Sequence, residues 1–240
     1  MKSAFGLDYI ILYILVNLRQ CAVLLQRMDL THFLYALISG IVPSLLWLWF
    51  WLREDNLHPE PRRLIFGCFL IGMAAVILSF VLQSLINPYL HYIELFGATD
   101  ESKRYIIFAA IEEFSKFLAA YIVAFHAVEM DEPIDALMYL ITVALGFAAL
   151  ENTLFVIKSY YDINQVFVGD VTQAITTGNM RFIGATLLHL VSSACIGIMI
   201  GLNYYKPKMT RFFMGLIGLI LAVALHSFFN LSIIKTITGD

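Results

Sequence analysis

Charged and imidazole side chains lie inside four stretches of this sequence that are otherwise apolar enough to cross a membrane. In chain order the four stretches carry Glu112, Glu113 and Lys116; Phe147, Glu151 and Asn152; His189 and Ser193; and His226 and Asn230. A charged side chain at the bilayer centre costs about 2.5–3.5 kcal/mol on insertion scales, so such residues usually face a bundle interior or a water-filled cavity. Carboxylates, histidines and an asparagine are groups from which hydrolase sites are built. The pattern predicts an enzyme whose site lies within the membrane.

The acidic pair and Lys116 share one face of a predicted helix. Glu113 and Glu112 precede Lys116 by three and four residues, spacings that bring side chains together on a helix. Lys116 can neutralise one carboxylate and leave the other as a general base for a water that attacks a peptide carbonyl. The alternative is an inert ion pair that only holds helices together.

The two histidines lie in later stretches, each four residues before a second polar group, Ser193 or Asn230. Convergence of both histidines and the glutamates on one pocket would satisfy every one of these buried groups. Asn230 and a histidine could then stabilise an oxyanion. Alternatively, His189, His226 and Glu112 could hold a zinc ion with an open position for water. The sequence contains no H-E-x-x-H zinc helix.

Composition places the chain among membrane proteins. Of its 240 residues, 60% are hydrophobic and only 14% are charged, against about 25% charged in soluble domains. This length suits six to eight spans of about 20 residues, so we expect one membrane-embedded domain over residues 1–240. The net charge of −3 gives no general attraction to nucleic acid, and no nucleic-acid partner is expected.

Polar and proline residues divide the apolar sequence into six clear spans. The spans are 33–52, 64–86, 105–125, 134–157, 182–203 and 212–234. Residues 1–30 form an N-terminal extension whose apolar run, 4–25, is either a further span or an interfacial helix. The polar stretch 160–181 is expected to be the longest loop. The predicted fold is an all-α polytopic membrane bundle of six to eight helices, in which the four motif-bearing helices form a catalytic core around a wet cavity.

In this order and at this spacing, the motifs resemble the PrsW family of intramembrane proteases. The wider group includes the CAAX prenyl endopeptidases and bacteriocin-processing proteins. The matching text stands at 58–61 (HPEP), 111–117 (IEEFSKF), 135–139 (DALMY), 146–152 (GFAALEN), 189–193 and 224–230 (ALHSFFN). The resemblance covers about 33–234, and the ordered set carries it, since each motif alone is weak.

The resemblance implies a peptidase of the bacterial cytoplasmic membrane. Such proteins are associated with the first cut of a single-span anti-sigma factor in envelope-stress signalling, so the implied partners are a membrane-anchored protein substrate and the lipid bilayer. By motif, Glu112 would be the water-activating base and Glu113 its partner, with Lys116 balancing charge. His189, His226 and Asn230 would bind water or stabilise the oxyanion. The PrsW family is classed with metallopeptidases and the CAAX group resembles glutamate-activated-water enzymes, so zinc stays one of two possibilities.

Two further functions are alternatives to this prediction. CAAX-type processing of prenylated proteins or peptides is the weaker protease alternative, because Glu151 stands where those proteins usually carry a histidine. A proton-coupled transporter could also use buried Glu, Lys and His residues as a proton relay. The sequence shows no inverted repeat, and only Asn87-Pro88 suggests a helix break, so the transporter is the less favoured class.

Overall fold

The computed structural model describes residues 29–54, 58–95, 97–160 and 181–238. These residues form six α-helices, and no strand is present among them. The helices are α1 (Leu30–Glu54), α2 (Arg62–Ile86), α3 (Asp100–Val123), α4 (Asp135–Tyr160), α5 (Thr186–Gly201) and α6 (Lys208–Thr238). A 3-10 turn, Asn87–Tyr92, continues α2, and a π turn, Arg181–Ala185, leads into α5. The predicted all-helical membrane fold is therefore confirmed.

Five stretches of the described chain are long and apolar enough to cross a membrane. They are Leu30–Glu54, Arg62–Tyr92, Asp135–Ser159, Ile183–Gly201 and Lys208–Ser232. The remaining predicted span, 105–125, coincides with α3 as far as Val123, and the 24 residues of this helix reach about 36 Å. Its charged residues keep α3 out of the apolar set, so the count of six to eight spans stays a prediction. The run 4–25 and most of the predicted 160–181 loop lie outside the described residues.

Local sequence explains where α2 begins and ends and where α3 begins. Pro61 directly precedes α2, and Pro88 follows its last residue, Ile86, by two positions, so proline bounds both ends of this helix. The hydroxyl of Thr99 caps α3 by accepting a hydrogen bond from the Ser102 amide at 3.2 Å.

Helix α4 is the central helix of the bundle. Every residue from 138 to 149 is buried, which is typical of a helix that other helices surround. Helices α2, α4, α5, α6 and α3 follow one another as a ring in which each helix packs on the next, and α1 packs on the outer side of α4. This arrangement brings the inward faces of α3, α4, α5 and α6 together at one level.

Two glycines allow α2 and α4 to approach closely. A Cβ atom added at Gly72 would lie 2.1 Å from the Val143 carbonyl oxygen, and one added at Gly146 would lie 2.0 Å from the Phe69 carbonyl oxygen. Membrane helices use small residues in this way because packing, rather than the hydrophobic effect, holds them together. Close packing at these two glycines fixes the position of α4, the helix that contains Phe147 and Glu151, against α2.

A second set of polar contacts closes the far end of the bundle. The Tyr139 hydroxyl donates to Glu60, and His58 pairs with Glu132. On the surface, the Arg63 guanidinium lies 2.9 Å from Glu129 and holds the pKa of that carboxyl below its ordinary value. Tyr139 is twelve residues before Glu151 on α4, about 18 Å along the helix axis. The motifs at 58–61 and 135–139 therefore connect the segment before α2 to the start of α4, at a distance from the other four motifs.

We predict that Gly146→Ala destabilises the bundle by about 1–3 kcal/mol, the usual cost of overpacking. The matched control is Gly67→Ala, since a Cβ atom there meets only the Val123 side chain at 3.6 Å. Thermal unfolding of the two variants in detergent measures the difference. Equal unfolding temperatures would contradict the close approach of α2 and α4.

Candidate active site

Glu113 is the centre of the polar cluster. Its side chain is fully buried on α3 and accepts hydrogen bonds from Lys116 Nζ at 2.7 Å and Ser192 Oγ at 2.8 Å. Ser193 Oγ lies 3.5 Å away, and His226 Nδ1 lies 2.7 Å away. Three helices thus supply partners to one carboxylate, which is how a buried charge is stabilised in a low-dielectric interior.

Glu112, the preceding residue, faces a cavity. Its side chain is 14% exposed, and its Oε1 accepts a hydrogen bond from Gln83 Nε2 at 2.8 Å. Its Oε2 lies 3.5 Å from His226 Nε2. The two adjacent glutamates therefore differ in environment, and Lys116 forms its ion pair with Glu113.

His226 connects the two glutamates, and its partners define its tautomer. The Glu113 carboxylate can only accept, so Nδ1 of His226 carries the hydrogen of their 2.7 Å contact. In the neutral ring Nε2 then offers a lone pair on the side of Glu112. This nitrogen can accept a hydrogen bond from a water molecule or bind a metal ion.

His189 lies between a cation and a carboxylate. Its Nδ1 is 3.3 Å from Lys116 Nζ, and its Nε2 is 2.9 Å from Glu151 Oε2. Because the lysine ammonium can only donate, Nδ1 accepts and Nε2–H donates to Glu151. The Phe147 ring packs beside His189 with ring centroids 5.2 Å apart. Glu151, whose role the motif left open, thus orients the histidine.

Arg181 completes the cluster from the π turn before α5. Its guanidinium pairs with Glu151, and its Nε donates to Asn152 Oδ1 at 2.7 Å. The guanidinium also lies 3.8 Å from the centre of the Phe155 ring. In turn Asn152 Nδ2 donates to Thr186 Oγ1 at 3.0 Å. Asn152 therefore joins α4 to the start of α5 instead of facing the reacting groups.

A cavity of about 590 Å³ opens beside this cluster. Six of the predicted site residues line it: Glu112, Phe147, Glu151, His189, His226 and Asn230. The other four, Glu113, Lys116, Asn152 and Ser193, are buried behind the cavity wall. The structure thus brings all ten predicted residues into one region, with six of them lining the cavity.

Sequence reasoning missed three members of the cluster: Gln83, Arg181 and Ser192. Gln83 is a lone amide in a predicted span, a signal that could have identified it. Ser192 is next to Ser193, and only the rotation of α5 decides which serine lies closer to Glu113. Arg181 stood at the end of a predicted loop, where nothing in the local pattern indicates a partner on α4.

Three side chains could together hold a metal ion. One potential ligand atom from each of Glu112, His189 and His226 lies within 4.8 Å of the others. Two imidazoles and one carboxylate are a ligand set that catalytic zinc sites use. The set fits zinc in type and spacing, with His189 exchanging one of its two present hydrogen bonds for the ion. Glu113 already holds His226 in the tautomer that such a site needs.

Comparison with known proteins agrees with this geometry. A sequence model described as PrsW family intramembrane metalloprotease matches residues 60–239, three quarters of the chain. The chain belongs to the PrsW family. Membership makes it a peptidase, as the motifs predicted, and sets aside the transporter alternative. No solved structure gives a significant match to it.

Relatives in this family are bacterial proteins named Protease PrsW. The one from Geobacillus kaustophilus is 25% identical over 75% of this chain and 72% of its own length. The one from Halalkalibacterium halodurans is 26% identical over 81% of both chains. The Bacillus subtilis protein is 27% identical over 52% of this chain and 55% of its own.

We predict that Arg181→Gln lowers peptidase activity about tenfold, because loss of an outer partner loosens the histidine that it orients. Arg181→Lys, which keeps the charge beside Glu151, should restore most of the activity. Lys158→Gln is the matched control, since Lys158 lines the same cavity as a cation. Rates of substrate cleavage by the three purified variants provide the measurement. Wild-type activity in Arg181→Gln would show that Glu151 and His189 do not need the guanidinium.

Proposed function

We propose that this peptidase is an intramembrane endopeptidase that cleaves a membrane-anchored regulatory protein, with Glu112 activating the attacking water. One observation carries the proposal. Of two adjacent glutamates, Glu113 has its acceptors occupied by buried partners, whereas Glu112 reaches the cavity. A general base must lie within hydrogen-bond reach of the water that it deprotonates.

Water activation follows from the positions of Glu112 and His226. A water in the cavity can donate one hydrogen bond to the Glu112 carboxylate and the other to Nε2 of His226. Glu112 takes a proton as the water oxygen bonds to the scissile carbonyl carbon. When the C–N bond breaks, the same glutamate gives that proton to the leaving amine, so the step balances. Glu113 keeps His226 in place throughout.

The negative charge that develops on the carbonyl oxygen during water attack needs hydrogen-bond donors in the same cavity. Asn230 lines the cavity, and side-chain amide N–H groups are suited to stabilising an oxyanion. His189 also lines the cavity, but its N–H already donates to Glu151, so Asn230 is the proposed donor to this oxygen. In this proposal Lys116 acts through Glu113 and His189 and stays behind the cavity wall.

Zinc is the second form of the same proposal. Glu112, His189 and His226 would hold the ion, and it would make its bound water a stronger acid. Zinc analysis of purified, active protein separates the two forms. Stoichiometric zinc that is lost in a folded His226→Ala variant supports the metal-bound form. Full activity without zinc supports the form in which Glu112 acts alone.

The proposed substrate is a single-span protein of the bacterial cytoplasmic membrane, similar to an anti-sigma factor. Support comes from the site's position inside a bundle of apolar helices and from the bacterial relatives. Peptide carbonyls in an intact helix are already hydrogen-bonded, so the substrate has to unwind locally before water can attack.

We predict that Glu112→Gln lowers cleavage at least a hundredfold, within the range that a general base usually contributes. The test uses a panel of single-span membrane proteins in proteoliposomes with purified wild-type and variant peptidase. Glu94→Gln, an exposed position in the loop before α3, is the control and should cleave normally. Normal cleavage by a folded Glu112→Gln would remove the base from this proposal.

A further inference from the structure

An apolar groove of about 290 Å³ lies between α5 and α6 on the outer side of the bundle. Its lining is almost entirely apolar and includes Ile183, Val191, Leu225 and Phe228. The Phe228 side chain is 73% exposed and Ile183 is 62% exposed. In a membrane-spanning bundle this groove faces the lipid.

The groove exists because α5 and α6 diverge toward the active site. At one level their backbones meet, since a Cβ atom added at Gly218 would lie 2.7 Å from the Ile196 Cα. Twelve residues before Ile196, about 18 Å along the helix axis, a Cβ atom at Gly184 meets only the Phe229 ring at 3.5 Å. A side chain, rather than backbone, fills the space between the helices at that end.

Only one layer of side chains separates this groove from the catalytic cavity. Gly184, Leu188 and Phe229 line both spaces. Leu188 directly precedes His189, and Leu225, which lines the groove, directly precedes His226. The groove therefore lies on the outer side of the two histidines.

Close to the site, α2 and α4 meet through their backbones, unlike α5 and α6, which are separated there by side chains. The α2–α4 pair is closed by the backbone contacts of Gly72 and Gly146. At the level of the site, the α4–α5 pair is joined by hydrogen bonds between Asn152 and Thr186 and between His189 and Glu151. Side chains can change rotamer at small cost, whereas helix backbones in contact cannot separate without losing their packing.

We infer that the groove between α5 and α6 is the docking surface for the membrane-spanning segment of the substrate, which reaches Glu112 by displacing Leu188 and Phe229. This inference rests on the proposed function. Lipid chains contact all outer faces, but a peptide bond that is cut at Glu112 has to pass from lipid into the cavity. The lining selects a segment with apolar side chains, because a charge there would have no partner.

Site-specific photo-crosslinking tests where the substrate docks. A benzoylphenylalanine placed at Val191 or at Phe228 should capture a single-span protein that the wild type cleaves. Matched positions are Ile77 on α2 and Ile122 on α3, which are 62% and 61% exposed on other outer faces. We expect several-fold more substrate adduct at the two groove positions. Equal or greater capture at Ile77 or Ile122, or capture of lipid alone in the groove, would overturn the inference.

The same experiment in a Glu112→Gln background keeps this inference separate from the proposed chemistry. Adducts at the groove together with normal cleavage by that variant would overturn the role of Glu112 and retain the docking surface. A kinetic comparison adds a second measure. Phe228→Ala should raise KM several-fold with kcat unchanged, while Ile220→Ala, exposed elsewhere on α6, should leave both unchanged. A fall in kcat alone would contradict docking at this surface.

Discussion

The buried ion pair between Glu113 and Lys116 is the interaction on which the site depends. Both side chains are fully buried, and their charged atoms lie 2.7 Å apart. Removing two charges from water is costly and is offset only when the remaining hydrogen-bonding capacity is also used. Ser192 and His226 supply the further hydrogen-bond partners of Glu113, and His189 accepts a hydrogen bond from Lys116. The pair therefore holds α3 against α5 and α6 and fixes the orientation of both histidines.

The same ion pair places the neighbouring residues Glu112 and Glu113 in different environments. Successive residues on an α-helix point about 100° apart, so when Glu113 faces the network, Glu112 has to face elsewhere. The cavity lies in that direction, with Gln83 and His226 as its partners for Glu112. A chain of contacts also runs from Arg181 through Glu151 and His189 to Lys116, the other member of the ion pair. In the proposed mechanism, Glu113 has the structural role and Glu112 acts on the water.

Much of this arrangement could be predicted from the sequence because a polar group in an apolar run needs a partner in the bundle interior. Apolar runs bounded by polar and proline residues located the helices, and the need for partners indicated that the motifs converge. Spacing could not decide whether Lys116 joins Glu112 or Glu113, since both are within reach on a helix. That choice depends on which side of α3 meets Ser192 and His226. Arg181 and the groove beside Phe229 likewise depend on how α5 lies against its neighbours, which no local pattern records.

Comparing Glu112→Gln with Glu113→Gln tests this division most directly, with thermal unfolding and substrate cleavage measured on each purified variant. Glu113→Gln leaves Lys116 buried without its counter-charge and should lose about 3–5 kcal/mol of stability. Glu112→Gln should unfold close to wild type and be inactive. A stable Glu113→Gln, or a Glu112→Gln that cleaves normally, would contradict the assignment of one glutamate to structure and the other to chemistry.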